Sequence, residues 1–350
     1  MLLRARPGWR SGVCDRRRRG LPAGRCPKNG DGPWCQGDDG QRSSVRAASQ
    51  SALLVVAGSA MSRNAAYTTV EGAGPALVLV HGVAGSRRVW DLVVPDLRRD
   101  HCVVRTDLLG YGRSPAPKGV YTVGAHLDAI RRGLDGAGVP RPVVLVGLSM
   151  GGTLVLEYAR RWPEEVRSVV VVGLPWYPDD AAARSELRQD PWVRQAIDHP
   201  RLAALWVTPL WAAGRSVPGL AGAFSSIYTP AMARDALRVP YRVFASTVHH
   251  VMIGHRPEPA LAATSGMERL FLHGEEDRWT PADRVAALVS GAARTTVERY
   301  SGVGHNLAVL APARVAASVR RFAAGAAPGA GAQGSLVAPS VALGDPPPCR

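Results

Sequence analysis

Val143-Val144-Leu145-Val146-Gly147-Leu148-Ser149-Met150-Gly151-Gly152-Thr153 runs from four consecutive apolar residues through a Gly-x-Ser-x-Gly turn into a segment with helical spacing. A short aliphatic run bounded by glycine reads as a buried strand, and Thr153–Trp162 reads as the helix that follows it. The serine between them falls on a sharp strand-to-helix turn that exposes its hydroxyl at the end of a sheet. Such a turn forces unusual backbone angles on the serine and leaves little room for side chains around it, which gives Gly147, Gly151 and Gly152 a physical task. In a chain with 38 glycines the bare pattern is weak, and its weight comes from strand, turn and helix standing in the required order.

A dinucleotide-binding loop is the competing reading, because a glycine-rich strand-to-helix turn also cradles a pyrophosphate. Ser149 stands where that motif needs its second glycine and would obstruct the approach. Gly110-Tyr111-Gly112 fails too, since Arg113, Ser114 and Pro115 follow it and no helix opens there.

Outward from this turn, short apolar runs alternate with helical stretches. The strands read as Ala76–Val80, Cys102–Thr106, Val143–Val146, Val169–Val172, Arg269–Leu272 and Thr295–Tyr300; the helices include Tyr121–Gly136, Ala282–Ser290 and Pro312–Ala324. That alternation predicts an α/β fold with a parallel sheet covered on both faces. From about Pro175 to Thr264 it breaks, and the residues read as helices and loops inserted into the core.

The chain of 350 residues is 46% hydrophobic, enough for one large core or two modest ones. Its apolar runs stop far short of the ~18 residues that a membrane-spanning helix requires, so no membrane association is predicted. The net charge of +15 is concentrated at the front: residues 1–60 carry 11 Lys+Arg against 4 Asp+Glu, and residues 61–350 carry 32 against 24. Apart from Lys28 and Lys118 every basic residue is arginine, which reads as GC-rich coding, and the arginines are scattered rather than clustered. No nucleic-acid partner is predicted. The five cysteines, Cys14, Cys26, Cys35, Cys102 and Cys349, show neither zinc spacing nor a disulfide framework.

Residues 1–50 contain the run Arg16–Arg19, many Gly and Pro and no apolar periodicity, so a disordered leader is expected over 1–60. Arg46 followed by Ser51–Ala60 offers a faint signal-peptide pattern, about 45 residues too deep in the chain. The alternative, and the preferred reading, starts the protein at Met61 with an upstream in-frame leader and a cytoplasmic location. The Ala/Gly/Pro-rich tail, 325–350, is also expected to be disordered.

Serine is a weak nucleophile and needs a base, with a carboxylate to orient that base. On a turn of this type the partners follow in the order Ser, acid, His. Of nine histidines, His81, His101 and His126 precede Ser149, while His199, His249, His250 and His255 fall in the insertion and His273 ends a strand ahead of the best acid. That leaves His305, in the loop Gly302-Val303-Gly304-His305-Asn306. For the acid, Asp277 in His273-Gly274-Glu275-Glu276-Asp277 is the first choice, with Glu275, Glu276 and the pair Asp179/Asp180 still open. An oxyanion needs two aligned N–H donors, and the candidates are Met150, directly after the serine, and Val83, in the loop His81–Ser86 after the strand Ala76–Val80. His81 itself reads as structural.

Together these segments resemble the α/β-hydrolase fold family, in the serine-nucleophile branch with a helical cap. The resemblance runs from about Tyr67 to Ala324 and rests on HGVAGS at 81–86, DLLGYGRS at 107–114, GLSMGG at 147–152, HGEEDRWTP at 273–281 and GVGHNL at 302–307. It implies a mostly parallel central sheet with helices on both faces, a core of 61–174 and 265–324, and a cap at 175–264. Asp107 would hold a turn beneath the site and take no part in chemistry. Because Ser149 stands where related epoxide hydrolases and haloalkane dehalogenases carry Asp, the resemblance points to acyl chemistry instead. Hydrolysis of an ester, lactone or thioester leads; carbon–carbon bond hydrolysis and acyl transfer use the same triad. A non-catalytic ligand receptor of this fold would usually lose a triad member or an elbow glycine, and none is lost here. No metal or organic cofactor is expected. Cap aromatics, above all Trp176, Trp206 and Trp211, are the expected contacts for an apolar or aromatic acyl substrate.

Overall fold

The computed structural model describes residues 64–216 and 229–325. Strands β1 (Tyr67–Glu71), β2 (Ala76–Val80), β3 (Cys102–Asp107), β4 (Val143–Leu148), β5 (Val166–Val172), β6 (Glu268–Gly274) and β7 (Thr295–Tyr300) form one sheet among them, in the order β1-β3-β2-β4-β5-β6-β7. All neighbours from β3 to β7 pair in parallel, and β1 runs antiparallel along the β3 edge with Tyr67 opposite Asp107. The alternating pattern had predicted six of these strands. It missed β1, whose sequence Tyr-Thr-Thr-Val-Glu has no apolar run, although every residue of it is buried.

Successive strand residues feed opposite faces, as a two-residue repeat requires. Val78, Val104, Leu145 and Val171 pack toward α2 (Val123–Gly136) and α3 (Met150–Arg161). Leu77, Val103, Val144 and Val170 pack toward the opposite face, under α1 (Val94–Leu97) and, past β7, α11 (Leu307–Leu310) and α12 (Pro312–Ala323). Each such fully buried aliphatic side chain contributes about 1.5–3 kcal/mol, so a sheet buried on both sides needs the continuous apolar runs seen in the sequence.

Between β5 and β6 the described residues form helices and no strand: α4 (Asp180–Leu187), α5 (Pro191–Asp198), α6 (Pro200–Ser216), α7 (Pro230–Arg238), α8 (Tyr241–Thr247) continuing as a π-helix over Val248–Ile253, and α9 (Glu258–Ala263). Helix α10 (Ala282–Leu288) then links β6 to β7. In this insertion Asp179, Asp190 and Thr229 accept hydrogen bonds from the first-turn N–H groups of α4, α5 and α7, so each start is written locally. No helix of the described residues is long and apolar enough to cross a membrane. The expected leader 1–60 and tail from 326 onward lie outside the described residues.

Candidate active site

Strand order reverses at β2, which has β3 on one side and β4 on the other. The connections leaving the carboxyl ends of β2 and β4 therefore diverge and open a crevice, where ligands bind in open α/β sheets. Loop 81–86 follows β2 and Ser149 follows β4, so the topology brings these two together. Asp277 and His305 arrive from loops beyond β6 and β7.

Ser149 adopts φ 54°, ψ −124°, a strained conformation for a residue with a Cβ. The glycines around it have no room for anything larger. A Cβ on Gly147 would stand 2.2 Å from the Gly151 carbonyl oxygen, and one on Gly151 would stand 2.5 Å from the Val80 oxygen. Gly152 would press on Val171 at 2.7 Å. Strand β4, helix α3 and strand β2 thus meet backbone to backbone, and that contact turns the serine outward.

His305 Nε2 stands 2.9 Å from Ser149 Oγ, and His305 Nδ1 stands 2.8 Å from Asp277 Oδ2. A carboxylate only accepts, so Nδ1 carries the proton shared with Asp277 and Nε2 is left to accept the serine O–H. Asp277 is buried and fully committed: Oδ1 accepts from Trp279 N–H at 2.9 Å and Thr280 N–H at 3.0 Å, and Oδ2 accepts from the Thr280 hydroxyl at 2.5 Å. Burial alone would raise its pKa, but the hydrogen bond and charge of His305 and the hydrogen bonds of Thr280 outweigh burial and hold the carboxyl below the usual aspartate range. Of the other acids left open, Glu275 and Glu276 are exposed, Asp179 caps α4, and Asp180 pairs with Arg256.

Loop 81–86 abuts the serine, since a Cβ on Gly82 would fall 3.0 Å from Ser149 Cβ. Val83 lines the same cavity, and Met150 opens α3, where a first-turn N–H has no intrahelical acceptor and the helix dipole adds partial positive charge. His81 is buried and structural: Nε2 accepts from Leu108 N–H at 3.0 Å, leaving Nδ1 to donate to the Gly82 carbonyl at 2.7 Å. Burial lowers its pKa, keeping the ring neutral in that bridge. Asp107 ties the same region from below, accepting from Arg87 N–H at 2.8 Å and Arg113 N–H at 2.9 Å.

A cavity of about 370 Å³ opens over Ser149 and His305. Of the three tryptophans singled out as substrate contacts, Trp211 is among the residues that line it, and Trp176 and Trp206 are not. Trp176 turns its indole N–H to Glu258 Oε1 at 2.6 Å, and Trp206 is 46% exposed, with its ring 6.5 Å from that of Trp192. Trp192, Trp279, Phe244 and Asp190 line the cavity instead, and sequence reasoning had not assigned the last of these at all. One signal was present for Thr280, which follows Asp277 at the three-residue spacing by which a carboxylate caps the turn after it. Asp190 carried a cap signal of the same kind for the start of α5, but nothing marked it or Trp192 as lining the cavity, because which face of α5 meets the crevice is a matter of packing. The histidines of the insertion go elsewhere: His249 Nε2 bonds the Ala196 carbonyl at 2.9 Å and His255 sits 3.3 Å from Glu157.

A sequence profile of the alpha/beta hydrolase fold matches residues 75–312. The chain is 38% identical over 109 residues to 2-hydroxy-6-oxo-2,4-heptadienoate hydrolase of Pseudomonas putida, covering 29% of this chain and 38% of that protein. It is 33% identical over 153 residues to Lipase LipV of Mycobacterium tuberculosis, covering 37% and 56%. The matched stretches thus span 38% and 56% of the lengths of these two curated relatives, less than two thirds of either. Among solved structures, an esterase from Thermogutta terrifontis superimposes with a TM-score of 0.58 at 21% identity, covering 74% of this chain and 93% of that one, which is a likeness of fold. With the parallel sheet, the inserted helices and a profile match across most of the chain, this protein belongs to the α/β-hydrolase fold family.

Proposed function

We propose that this chain is a serine hydrolase that cleaves a carboxylic ester through an acyl-enzyme, with Ser149 as nucleophile, His305 as base and Asp277 as its orienting acid. The observation that carries this reading is the unbroken chain of contacts from Ser149 Oγ through the two nitrogens of His305 to Asp277. His305 Nε2 takes the serine proton as Oγ attacks the carbonyl, and the oxyanion accepts from the N–H groups of Val83 and Met150. The protonated His305, held by Asp277, then donates to the leaving alcohol. Water, deprotonated by the same nitrogen, resolves the acyl-enzyme. The inserted helices act as the cap that roofs the site.

Carbon–carbon bond hydrolysis is the second reading, favoured by the resemblance to the Pseudomonas putida dienoate hydrolase. A dienoate carries a carboxylate, and the described cavity lining offers it no Lys or Arg, which weighs toward an ester. The test is turnover of p-nitrophenyl esters from acetate to decanoate by the full chain beside Ser149→Ala. Turnover abolished in the variant supports the reading, and the preferred chain length sizes the cavity. A folded wild type that neither turns over any ester nor takes a fluorophosphonate label on Ser149 would overturn it.

A further inference from the structure

We propose that the cavity selects an acyl ester carrying a cationic ammonium group, with Asp190 as the specificity-determining residue that meets the charge. This deepens the ester-hydrolase reading and rests on it. Asp190 lines the same cavity as Ser149 and His305, half-buried at the start of α5. Its Oδ1 accepts from Trp192 N–H at 2.8 Å and Val193 N–H at 2.9 Å, which completes its work as a helix cap. Among the described residues its other oxygen has no hydrogen-bond partner, and no Arg, Lys or His there lies within ion-pair distance of the carboxylate. A cap needs one acceptor oxygen, and Asn, Ser or Thr supplies it as well as Asp. The negative charge is therefore surplus to capping and stands at the wall of a substrate cavity.

The rings around it favour the same sign. Trp192 and Trp211 lie 6.2 Å apart, and Phe244 stands edge-on to Trp211 at 5.6 Å; all three line the cavity. Aromatic faces carry negative potential and attract cations, ammonium groups above all. Among the described lining residues no Lys or Arg offsets Asp190, so an anionic substrate meets repulsion, a neutral one ignores the free oxygen, and a cationic one pairs with it. The arrangement is a half-dry carboxylate with an aromatic wall, open toward the ester-cleaving serine.

The experiment compares kcat/KM for butyrylcholine and for its uncharged carbon isostere, 3,3-dimethylbutyl butyrate, on the full chain. The wild type is expected to prefer the choline ester by about tenfold or more, with most of the difference in KM. Asp190→Asn keeps a capping oxygen and removes the charge, and is expected to bring that ratio close to one. Tetramethylammonium should compete with a p-nitrophenyl ester on the wild type, a readout that needs no variant. A wild-type ratio of one or less, or an Asp190→Asn ratio equal to that of the wild type, overturns the charge selection while the hydrolase reading stands on turnover of the isostere. Absence of turnover of every ester, with no fluorophosphonate label on Ser149, overturns both.

Discussion

Ser86 Oγ donates a 2.8 Å hydrogen bond to Asp235 Oδ2 across 149 residues of sequence. Ser86 closes the loop that carries Val83 and caps the short 3-10 helix Arg87–Trp90, while Asp235 belongs to α7 of the insertion. Both are buried, and Arg88 Nε approaches the same carboxylate oxygen at 3.1 Å. One charge-assisted contact therefore fastens the inserted helices to the loop beside the nucleophile.

Breaking that contact should act on rate as well as stability. Asp235→Ala leaves Ser86 and Arg88 without their acceptor and is expected to cost about 1–3 kcal/mol, read from denaturant unfolding. If the loop aims an oxyanion donor, kcat falls about tenfold while KM changes little, and Asp235→Asn recovers most of the loss. An Asp235→Ala enzyme with unaltered kcat would show that the contact serves the fold alone.

The proposed nucleophile and base give the largest effect. Ser149→Ala and His305→Ala are each expected to fold and to lower ester turnover by about 10⁴ to 10⁶. Asp277→Asn should cost less but still heavily, because Thr280 and Trp279 donate to that side chain and an amide satisfies only part of the set. Circular dichroism beside the kinetics separates a chemical loss from an unfolded variant.

Acid should destabilise the protein through its buried histidines, of which His126 and His273 are shifted far and His81 in the same direction. Burial pushes His126 down to about 3 and His273 to about 4, and neither ring nitrogen of His126 has a hydrogen-bond partner among the described residues. Their ordinary value is 6.5, so below that pH the unfolded chain binds protons that the folded chain refuses. Stability is then full above about pH 6.5 and falls as pH drops toward the folded values, by up to about 1.4 kcal/mol per pH unit for each histidine. His126→Leu should remove one share of that slope. Urea unfolding at a series of pH values from 7.5 to 4.5 measures it, and a slope identical in the variant would refute the assignment.

The glycine contacts under the serine predict a structural lesion. Gly147→Ala places a methyl group 2.2 Å from the Gly151 carbonyl oxygen, a backbone atom that cannot swing aside. The expected cost exceeds about 2 kcal/mol, with activity lost alongside melting temperature.

Two tryptophans should separate cleanly. Trp211→Ala enlarges the cavity and is expected to shift ester preference toward longer chains. Trp176→Phe removes only an indole hydrogen bond to Glu258, away from the cavity, and should leave the chain-length profile as in the wild type. Kinetics over acetate to decanoate distinguishes them.

Legibility in the sequence followed the reach of each interaction. The strands β2 to β7 were visible because a sheet covered on both faces demands unbroken apolar runs, whereas β1 was hidden, being Tyr, Thr and Glu paired along an edge. His305 emerged by elimination along the chain order, and Asp277 was separated from Glu275 and Glu276 only in three dimensions, by which carboxylate is buried against the imidazole. Trp176 and Trp206 looked like substrate contacts because composition places aromatics in the insertion without saying which face of each helix looks inward.

The sequence by itself determined the αβ alternation, the strained serine between its glycines and the order of the residues that follow it, because backbone sterics, strand burial and helix capping act over a few residues. Tertiary structure decided what no local rule reaches: which acid meets His305, which tryptophans line the cavity, that Ser86 is held by Asp235, and that Asp190 stands at the wall of the same cavity. Those depend on the packing of helices against a sheet whose strand order reverses at β2, and packing is a property of the whole assembled chain.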